Sequence, residues 1–255
     1  MSRVRKAIRR IMAGVPGGET LLRTRAVYLE RRKLARIGGT ADVFRHHYEF
    51  NRWRSEESVS GPGSTLEHTE NIRRVLPGLF EELGVSAILD APCGDFNWFR
   101  MIEWKKPITY TGGDIVEPLV ARNQSLYGNP QTRFIHVDIV SGLLPEADLW
   151  LCRDCLPHLC YRDIWGAIIN FIDSGIPHLL TSTYPECAKN YDIPSGADRD
   201  LNLLLPPFEF GEPLRAIDDW IAGTPVRQLG LWNRETLRIQ LAANRHFQRI
   251  RKSRD

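Results

Sequence analysis

The sequence predicts a doubly wound α/β fold, with a parallel sheet covered by helices on both faces. Short apolar stretches alternate with helix-compatible stretches from Ser86 onward, which is typical of parallel strands joined by crossover helices. The first two of these strands each end on an acid, and a tight turn with a single glycine follows the first. The chain of 255 residues is long enough for one such domain with an appendage.

The N-terminal region is basic and is predicted to form a helical arm over residues 1–45. Residues 1–60 hold 14 Lys and Arg against 6 Asp and Glu, whereas the remainder holds 20 against 25. Apolar residues recur at helical spacing opposite arginines, at Val4, Ala7, Ile8 and Ile11. A second helix is predicted over residues 19–37. The arm is either packed on the main domain as solvated helices or an amphipathic contact with an anionic membrane or with nucleic acid.

Residues 46–85 are predicted to lead from this arm to the sheet. The loop SVSGPGST precedes a helical stretch for which Ser64 or Thr65 is the expected N-cap. A glycine-rich loop at this position either folds over a ligand as a lid or simply connects the two regions. The sequence leaves both interpretations open.

A main domain is predicted over residues 86–240, followed by a basic tail over residues 241–255. Its first five strands are expected at 86–90, 108–114, 132–137, 147–152 and 178–184, with helices at 97–104, 116–127 and 161–174. After a long irregular segment, two further apolar segments, PLRAIDDW and RQLGLWNRETL, are expected to complete the sheet.

The turn after the first strand indicates which ligand the sheet binds. A dinucleotide-binding turn carries three glycines that make room for a pyrophosphate, but here only Gly94 stands in the turn. Asp95 would also place a negative charge where the pyrophosphate would lie. S-adenosylmethionine carries an ammonium and a sulfonium and no phosphate. We therefore predict S-adenosylmethionine as the cofactor, rather than a nicotinamide dinucleotide.

The acids at the strand ends are the main candidates for holding this donor. Asp114 ends the second strand and is expected to accept hydrogen bonds from both ribose hydroxyls, with a helix N-cap as the alternative. Asp138 is expected at the adenine amino edge or, again, as a cap. Asp90 would orient the backbone or hold a water near the ammonium. The predicted donor-binding residues are Asp90, Cys93, Gly94, Asp95, Asp114, Ile115, Asp138 and Ile139.

The fourth strand ends in CRDCLPHLC, which brings Arg153, Asp154 and His158 to the expected catalytic edge of the sheet. Asp154 or His158 could remove a proton from a hydroxyl or amine as the methyl group arrives. Methyl transfer also depends on in-line alignment, so a base is either modest or absent. In the alternative interpretation, Asp154 caps a turn and His158 packs within it.

The cysteines favour neither a metal site nor disulfides. Cys152 and Cys155 form a CxxC pair with Cys160 nearby, but the second pair that a structural zinc site needs is missing, so we predict no metal. Five cysteines, an odd number, fit a reduced cytoplasmic protein. No run approaches the roughly 20 apolar residues of a membrane span, although the basic arm leaves a peripheral position at the inner membrane face open.

The runs ILDAPCGDFNWF, GGDIVEPLVARN and DLWLCRDCLPHL resemble the class I S-adenosylmethionine-dependent methyltransferases. More narrowly, they resemble a bacterial subgroup with a DAPCGD turn and a CRDC-x-x-HL motif. The resemblance covers roughly residues 50–240. It implies a Rossmann-like, mostly parallel seven-stranded sheet with an antiparallel last strand, and donor contacts at Asp90, Gly94, Asp114 and Asp138. The sequence departs from the broad superfamily at Pro92 and Phe96, where glycines are usual.

These observations predict a metal-independent methyltransferase that acts on the oxygen or nitrogen of a small-molecule or glycan-type acceptor. An RNA or protein methyltransferase that uses the basic arm to hold its target is the alternative within the class. A non-catalytic adenosyl-binding module is the alternative outside it, and a nicotinamide oxidoreductase is the remaining enzyme class.

Overall fold

A computed structural model describes residues 18–254, whose strands form one seven-stranded sheet in the order β3-β2-β1-β4-β5-β7-β6. The strands are β1 Ala87–Asp90, β2 Thr109–Asp114, β3 Thr132–His136, β4 Leu149–Cys152, β5 His178–Thr183, β6 Arg215–Asp218 and β7 Gln228–Asn233. The first five pair in parallel, and β7 lies antiparallel between β5 and β6. The predicted doubly wound, mostly parallel sheet with an antiparallel last strand is therefore confirmed.

The described residues also contain seven α-helices. They are α1 Gly18–Leu34, α2 Thr40–Glu49, α3 Glu70–Leu83, α4 Glu117–Tyr127, α5 Tyr161–Ser174, α6 Arg234–Leu241 and α7 Arg245–Lys252. The helix predicted over residues 97–104 is wrong, because only a 3-10 turn forms there, at Phe99–Met101. Phe96, just before this segment, has φ 60°, so the helical geometry does not extend back into the turn after β1.

Helix α3 begins later than the sequence predicted. Pro62–Ser64 form a separate 3-10 turn, and the N-cap of α3 is Thr69 rather than Ser64 or Thr65. The hydroxyl of Thr65 donates to the Pro62 carbonyl at 3.0 Å and accepts from the His68 N–H at 3.3 Å. The Thr65 hydroxyl thus makes the hydrogen bond that is typical of an N-cap, although it caps the turn that leads into α3 and not the first turn of α3 itself.

Two hydrophobic clusters cover the two faces of the sheet. One packs α5 and the irregular segment before β6 on the sheet, around Trp150, Trp165 and Phe208. The other packs α3 and the segment after β1 on the opposite face, around Phe80 and Phe99. Because both faces of the sheet are buried, its central strands are almost continuously apolar. Polar side chains are found instead at the carboxyl ends of the strands.

Both chain ends of the described region pack on this sheet domain. Val43 and His47 of α2 are buried, and Nε2 of His47 lies 2.8 Å from the Gly196 carbonyl oxygen, so the boundary predicted at residue 45 falls inside a packed helix. The segment predicted as a basic tail contains α7, whose Phe247 is buried against α5. None of the helices among residues 18–254 is long and apolar enough to cross a membrane.

The first helix predicted for the arm, around Val4 and Ile11, lies outside the described residues. The second helix of the arm is present as α1, which ends at Leu34 rather than Ile37.

Candidate functional site

A cavity of about 160 Å³ opens at the carboxyl ends of β1, β2 and β4, and we call it the first cavity. All eleven residues predicted to bind the donor or to act in catalysis line it. This follows from the topology, because the carboxyl ends of neighbouring parallel strands meet at one edge of the sheet. In the sequence these eleven residues are spread from Asp90 to His158.

The turn after β1 brings the backbone close to this cavity. Gly94 adopts φ 54°, the left-handed region that favours glycine. Asn123 of α4 supports the turn from behind, where its Nδ2 donates to the Gly94 carbonyl at 2.7 Å. Nothing in the local sequence pattern around Asn123 indicated this role, since the contact joins residues 29 positions apart.

Asp114 lies at the end of β2 and closes the turn from the cavity side. Its Oδ2 accepts from the Gly94 N–H at 3.1 Å, and its Oδ1 accepts from the Val116 N–H at 3.0 Å. Burial raises the pKa of Asp114 to about 6, although these two N–H groups favour the ionised form. The carboxylate is thus held rigidly in the cavity wall with lone pairs left for a ligand.

Asp90 is buried at the end of β1, where its Oδ2 accepts a 2.7 Å hydrogen bond from the Tyr110 hydroxyl. Burial raises the pKa of Asp90 to about 7, and the Tyr110 hydroxyl opposes this shift. The acid that the sequence placed near the donor's ammonium is therefore also a structural partner of the adjacent strand.

Asp95 lines the first cavity, and its carboxylate also binds the preceding loop. It accepts from the Ser58 hydroxyl and the Val59 N–H, each at 3.0 Å, and from the Ser60 hydroxyl at 3.2 Å. The Ser60 hydroxyl in turn accepts from the Asp95 N–H at 3.0 Å. Asp95 thereby anchors residues 58–64, which we call the cover loop and which contribute wall to the first cavity.

Asp138 is a cap, one of the two roles that the sequence left open, and its contact with an adenine stays a prediction. Its Oδ1 accepts from the Val140 N–H at 2.9 Å and its Oδ2 accepts from the Ser141 hydroxyl at 2.6 Å, which is a cap of the turn after β3. The same residue, with Ile139 beside it, also lines the first cavity.

Phe96 follows the turn after β1, and its side chain points away from the first cavity. It is buried in the aromatic cluster on the α3 face, with ring centroids 4.7 Å from Tyr110 and 5.1 Å from Phe134. The bulky residue therefore fills the core under the turn and leaves the space above it open.

A second cavity of about 210 Å³ adjoins the first, and the two share Trp53, Ser60, Asp154 and His158 as walls. The remaining walls come from the cover loop, the end of β5 and the start of β7, and include Tyr184, Asp198 and Arg227. Asp154 and His158 thus lie at the junction between two spaces, each able to hold a different molecule.

A buried network of two arginines and two acids supports this junction. Arg153 donates to Asp219 from Nε at 2.9 Å and from Nη2 at 2.8 Å. Arg227 pairs with Asp154 through Nη1, and its Nε lies 2.9 Å from Oδ2 of Asp219. Asp219 therefore binds both arginines, and one of them holds Asp154.

Asp154 is a poor proton acceptor in this setting. Burial alone would raise its pKa, but the Arg227 guanidinium, with smaller effects from His158 and Arg153, holds the pKa of Asp154 well below its usual range. Asp154 also has φ 52°, and its N–H donates to the Ser182 hydroxyl at 2.8 Å. The geometry supports an orienting carboxylate and argues against the predicted role as a base.

His158 is better placed to accept a proton. Its Nδ1 lies 3.0 Å from the Ala197 carbonyl oxygen, which can only accept, so Nδ1 carries the hydrogen and Nε2 carries the lone pair in the neutral ring. The ring lies against Trp53, with centroids 4.7 Å apart. Nε2 makes no hydrogen bond to any residue between 18 and 254.

The sequence did not predict Arg227, Asp219 or Trp53 as site residues. Arg227 precedes β7 and Asp219 follows β6, so these two strands bring both residues to the site. The one signal in the sequence was the pair of acids near the end of PLRAIDDW, which indicated polar residues at the end of that strand. The cover loop passes close to Asp154 at Gly63, because a Cβ on Gly63 would lie 3.1 Å from Oδ2 of Asp154.

The cysteine pair lies behind the junction. Cys152 and Cys155 are both buried, and hydrogen bonding to Cys152, together with burial, raises the pKa of the Cys155 thiol. Within residues 18–254, no three His, Cys, Asp or Glu side chains lie close enough together to hold a metal ion.

Searches of solved structures place this fold among methyltransferases. The 1,6-didemethyltoxoflavin-N1-methyltransferase of Burkholderia thailandensis, with bound S-adenosylhomocysteine, matches with TM-score 0.53 and 16% identity over 76% of this chain and 88% of that one. The magnesium protoporphyrin IX methyltransferase of Synechocystis PCC 6803 matches with TM-score 0.52 and 13% identity, over 74% and 93%.

The N-methyltransferase NodS of Bradyrhizobium japonicum, with bound S-adenosylhomocysteine, matches with TM-score 0.50 and 15% identity, over 73% of this chain and 97% of that one. At these identities the similarity shows a common fold. No protein-family model and no curated protein matches the sequence.

Proposed function

We propose that this protein is an S-adenosylmethionine-dependent methyltransferase that binds its donor in the first cavity and its acceptor, a small or glycan-type molecule, in the second. The observation that carries the proposal is Asp114, a buried carboxylate at the end of β2, fixed beside the single-glycine turn of a methyltransferase-like fold. A carboxylate in this position suits the vicinal hydroxyls of a ribose.

The wall chemistry of the first cavity fits this donor. Asp90, Asp114 and Asp138 line it, whereas the guanidinium of Arg153 is already paired with Asp219. A pyrophosphate would meet an excess of negative charge there, but an ammonium and a sulfonium would be attracted. When bound, the donor supplies an electrophilic methyl group on a positively charged sulfur.

The residues of the first cavity then divide the work of holding the donor. Asp114 accepts the ribose hydroxyls, Gly94 allows close backbone contact, and Asp138 with Ile139 lies at the adenine edge. Nη1 of Arg153 makes no hydrogen bond within the described part of the chain, which leaves it for the donor's carboxylate. The cover loop closes the cavity from above.

At the junction we assign His158 as the residue that takes the acceptor's proton through Nε2. Asp154, kept ionised by Arg227, orients the acceptor instead of deprotonating it. This arrangement leaves alignment as the main contribution of the protein to the transfer.

Calorimetric titration of the purified protein with S-adenosylhomocysteine and with NADH tests the donor assignment. We expect saturable binding of S-adenosylhomocysteine alone, and NADH binding would contradict the proposal. Incubation with methyl-labelled donor and fractionated cell extract then tests transfer. Label in small-molecule or glycan fractions is the expected result, whereas label only in RNA or protein, or donor binding without transfer, would favour the alternatives.

A further inference from the structure

Three side chains that carry hydrogen-bond acceptors line the second cavity: Asp154, Asp198 and His158. Two of the donor-bearing side chains on the same wall, Arg227 and Tyr184, already contact Asp154, the Tyr184 hydroxyl at 3.4 Å from Oδ1. Hydroxyl donors on a ligand would match these acceptors.

No guanidinium nitrogen of Arg227 is left for an anionic ligand. Nη1 pairs with Asp154, and Nε donates to the Asp219 carbonyl at 3.1 Å. Nη2 lies 3.1 Å from Nε2 of His68. Burial and the Arg227 guanidinium lower the pKa of His68, so this ring is a neutral acceptor and adds no positive charge.

The rim of the second cavity is acidic. The Asp198 side chain is 73% exposed, and among the described residues the one basic side chain within 4 Å of its carboxylate is His158, whose Nδ1 lies 3.5 Å from Oδ1. With Asp154 neutralised by Arg227, the charge that an incoming molecule meets is the negative charge of Asp198. A phosphate or carboxylate on the acceptor would be repelled at this rim.

We propose that the second cavity binds an uncharged polyhydroxylated ring, as in a neutral sugar, and that a hydroxyl oxygen of this ring is the methylated atom. The inference rests on the proposed methyltransferase function. Trp53 supplies the aromatic wall that the apolar face of such a ring packs on.

The same acidic wall favours a hydroxyl over an amine as the nucleophile. An amine near the carboxylate of Asp198 would be favoured in its protonated ammonium form, which has no lone pair to attack with. A hydroxyl stays neutral in the same place and can donate its proton to His158. The negative charge at the rim therefore disfavours a nitrogen acceptor and leaves an oxygen acceptor able to react.

The transfer step balances with the residues at the junction. The hydroxyl oxygen forms a bond to the methyl carbon while the carbon–sulfur bond breaks, and the electron pair of that bond stays on sulfur. The hydroxyl proton passes to Nε2 of His158, which later releases it to water. The products are the methyl ether and S-adenosylhomocysteine.

A panel of acceptors tests the proposal with the full chain and methyl-labelled donor. Methyl hexopyranosides, the corresponding hexuronates and 2-amino sugars are compared as acceptors at equal concentration, while donor binding is measured separately by calorimetry. We expect labelled methyl ethers from a neutral hexopyranoside and at least tenfold less label on its uronate. On an amino sugar we expect the label on oxygen.

Three outcomes with intact donor binding would overturn the acceptor assignment alone: N-methylation, preference for the uronate, or no labelling of any glycoside. Loss of donor binding would instead overturn the proposed function. Asp198→Asn should reduce the discrimination against uronates about tenfold without changing the donor affinity. Asp200→Asn, an exposed acid two residues away that lines neither cavity, is the matched control and should leave the discrimination unchanged.

Discussion

The carboxylate of Asp219 receives two parallel hydrogen bonds from Arg153, at 2.9 Å from Nε and 2.8 Å from Nη2. Both side chains are almost fully buried, with 4% of Arg153 and none of Asp219 exposed. Because Asp219 also contacts Arg227, this one acid connects the two cavities: Arg153 lines the first, and Arg227 lines the second.

Replacing Asp219 should therefore destabilise the protein strongly. Asp219→Asn leaves the buried guanidinium of Arg153 without a charged partner and Arg227 with Asp154 alone, and we expect a loss of about 3–5 kcal/mol in the free energy of unfolding. Chemical denaturation measures this. Asp173→Asn, which removes the exposed ion pair with Arg251, is the control and should cost less than about 1 kcal/mol. Equal effects of the two variants would contradict the role of Asp219.

Donor affinity should depend on the Asp114 side chain. Asp114→Asn keeps the shape but removes the charge that two ribose hydroxyls would meet, a loss of about 3 kcal/mol or roughly 100-fold in affinity. Calorimetry with S-adenosylhomocysteine checks this. Asp218→Asn, at an exposed acid of the edge strand β6, should bind as the native protein does. An unchanged affinity in a folded Asp114→Asn protein would remove the basis of the donor assignment.

The raised pKa of Asp114 predicts the pH dependence of donor binding. The ionised form accepts the ribose hydroxyls, and protonation sets in as the pH falls through about 6. The affinity for S-adenosylhomocysteine should therefore be nearly constant above about pH 7 and fall about tenfold per pH unit well below 6. Titrations of Asp114→Asn at the same pH values should show a much flatter profile, and a persisting steep fall would assign the dependence to another group.

Asp90 should lower stability at high pH. Its folded-state pKa of about 7 lies above the unfolded value of about 3.9, so its contribution is fully favourable only below the unfolded pKa and is lost as the pH rises through 7. Asp90→Asn should therefore raise Tm at pH 8, with a gain of at most about 4 kcal/mol in the free energy of unfolding. The difference in Tm between the variant and the native protein should become smaller towards pH 5. A Tm difference that is independent of pH would show that Asp90 does not titrate in this range.

Phe96 should matter for the core and not for the donor. Phe96→Ala removes a ring that contacts four aromatic neighbours, and we expect a loss of about 3–5 kcal/mol in the free energy of unfolding. The affinity for S-adenosylhomocysteine should stay within about twofold in the folded protein. A large loss of affinity without a loss of stability would place the ring in the donor cavity.

The parts of this structure that the sequence predicted are those encoded by neighbouring residues. Alternating apolar stretches indicated the strands, and an acid directly after a strand indicated a position at the carboxyl edge of the sheet, as found for Asp90 and Asp114. Gly94 could be identified because a proline and a glycine close together after an apolar stretch are typical of a tight turn.

The parts that escaped prediction depend on contacts between distant segments. Arg153 and Asp219 are 66 residues apart, and they meet only because β6 and β7 join the sheet beside β5. Asp95 was predicted only as a donor contact. Its hydrogen bond to Ser58 could not be foreseen, because Ser58 lies 37 residues earlier in the sequence. Local periodicity carries no record of such partners, so Arg227, Asp219 and Trp53 could be identified only once the fold was known.

The exchange of hydrogen bonds between Ser60 and Asp95 fastens the cover loop to the turn beneath it. Together with the hydrogen bonds from Ser58 and Val59, this exchange couples the position of the loop to that of the turn. Because Ser60 lines both cavities, a displacement of the loop would alter the shape of both at once.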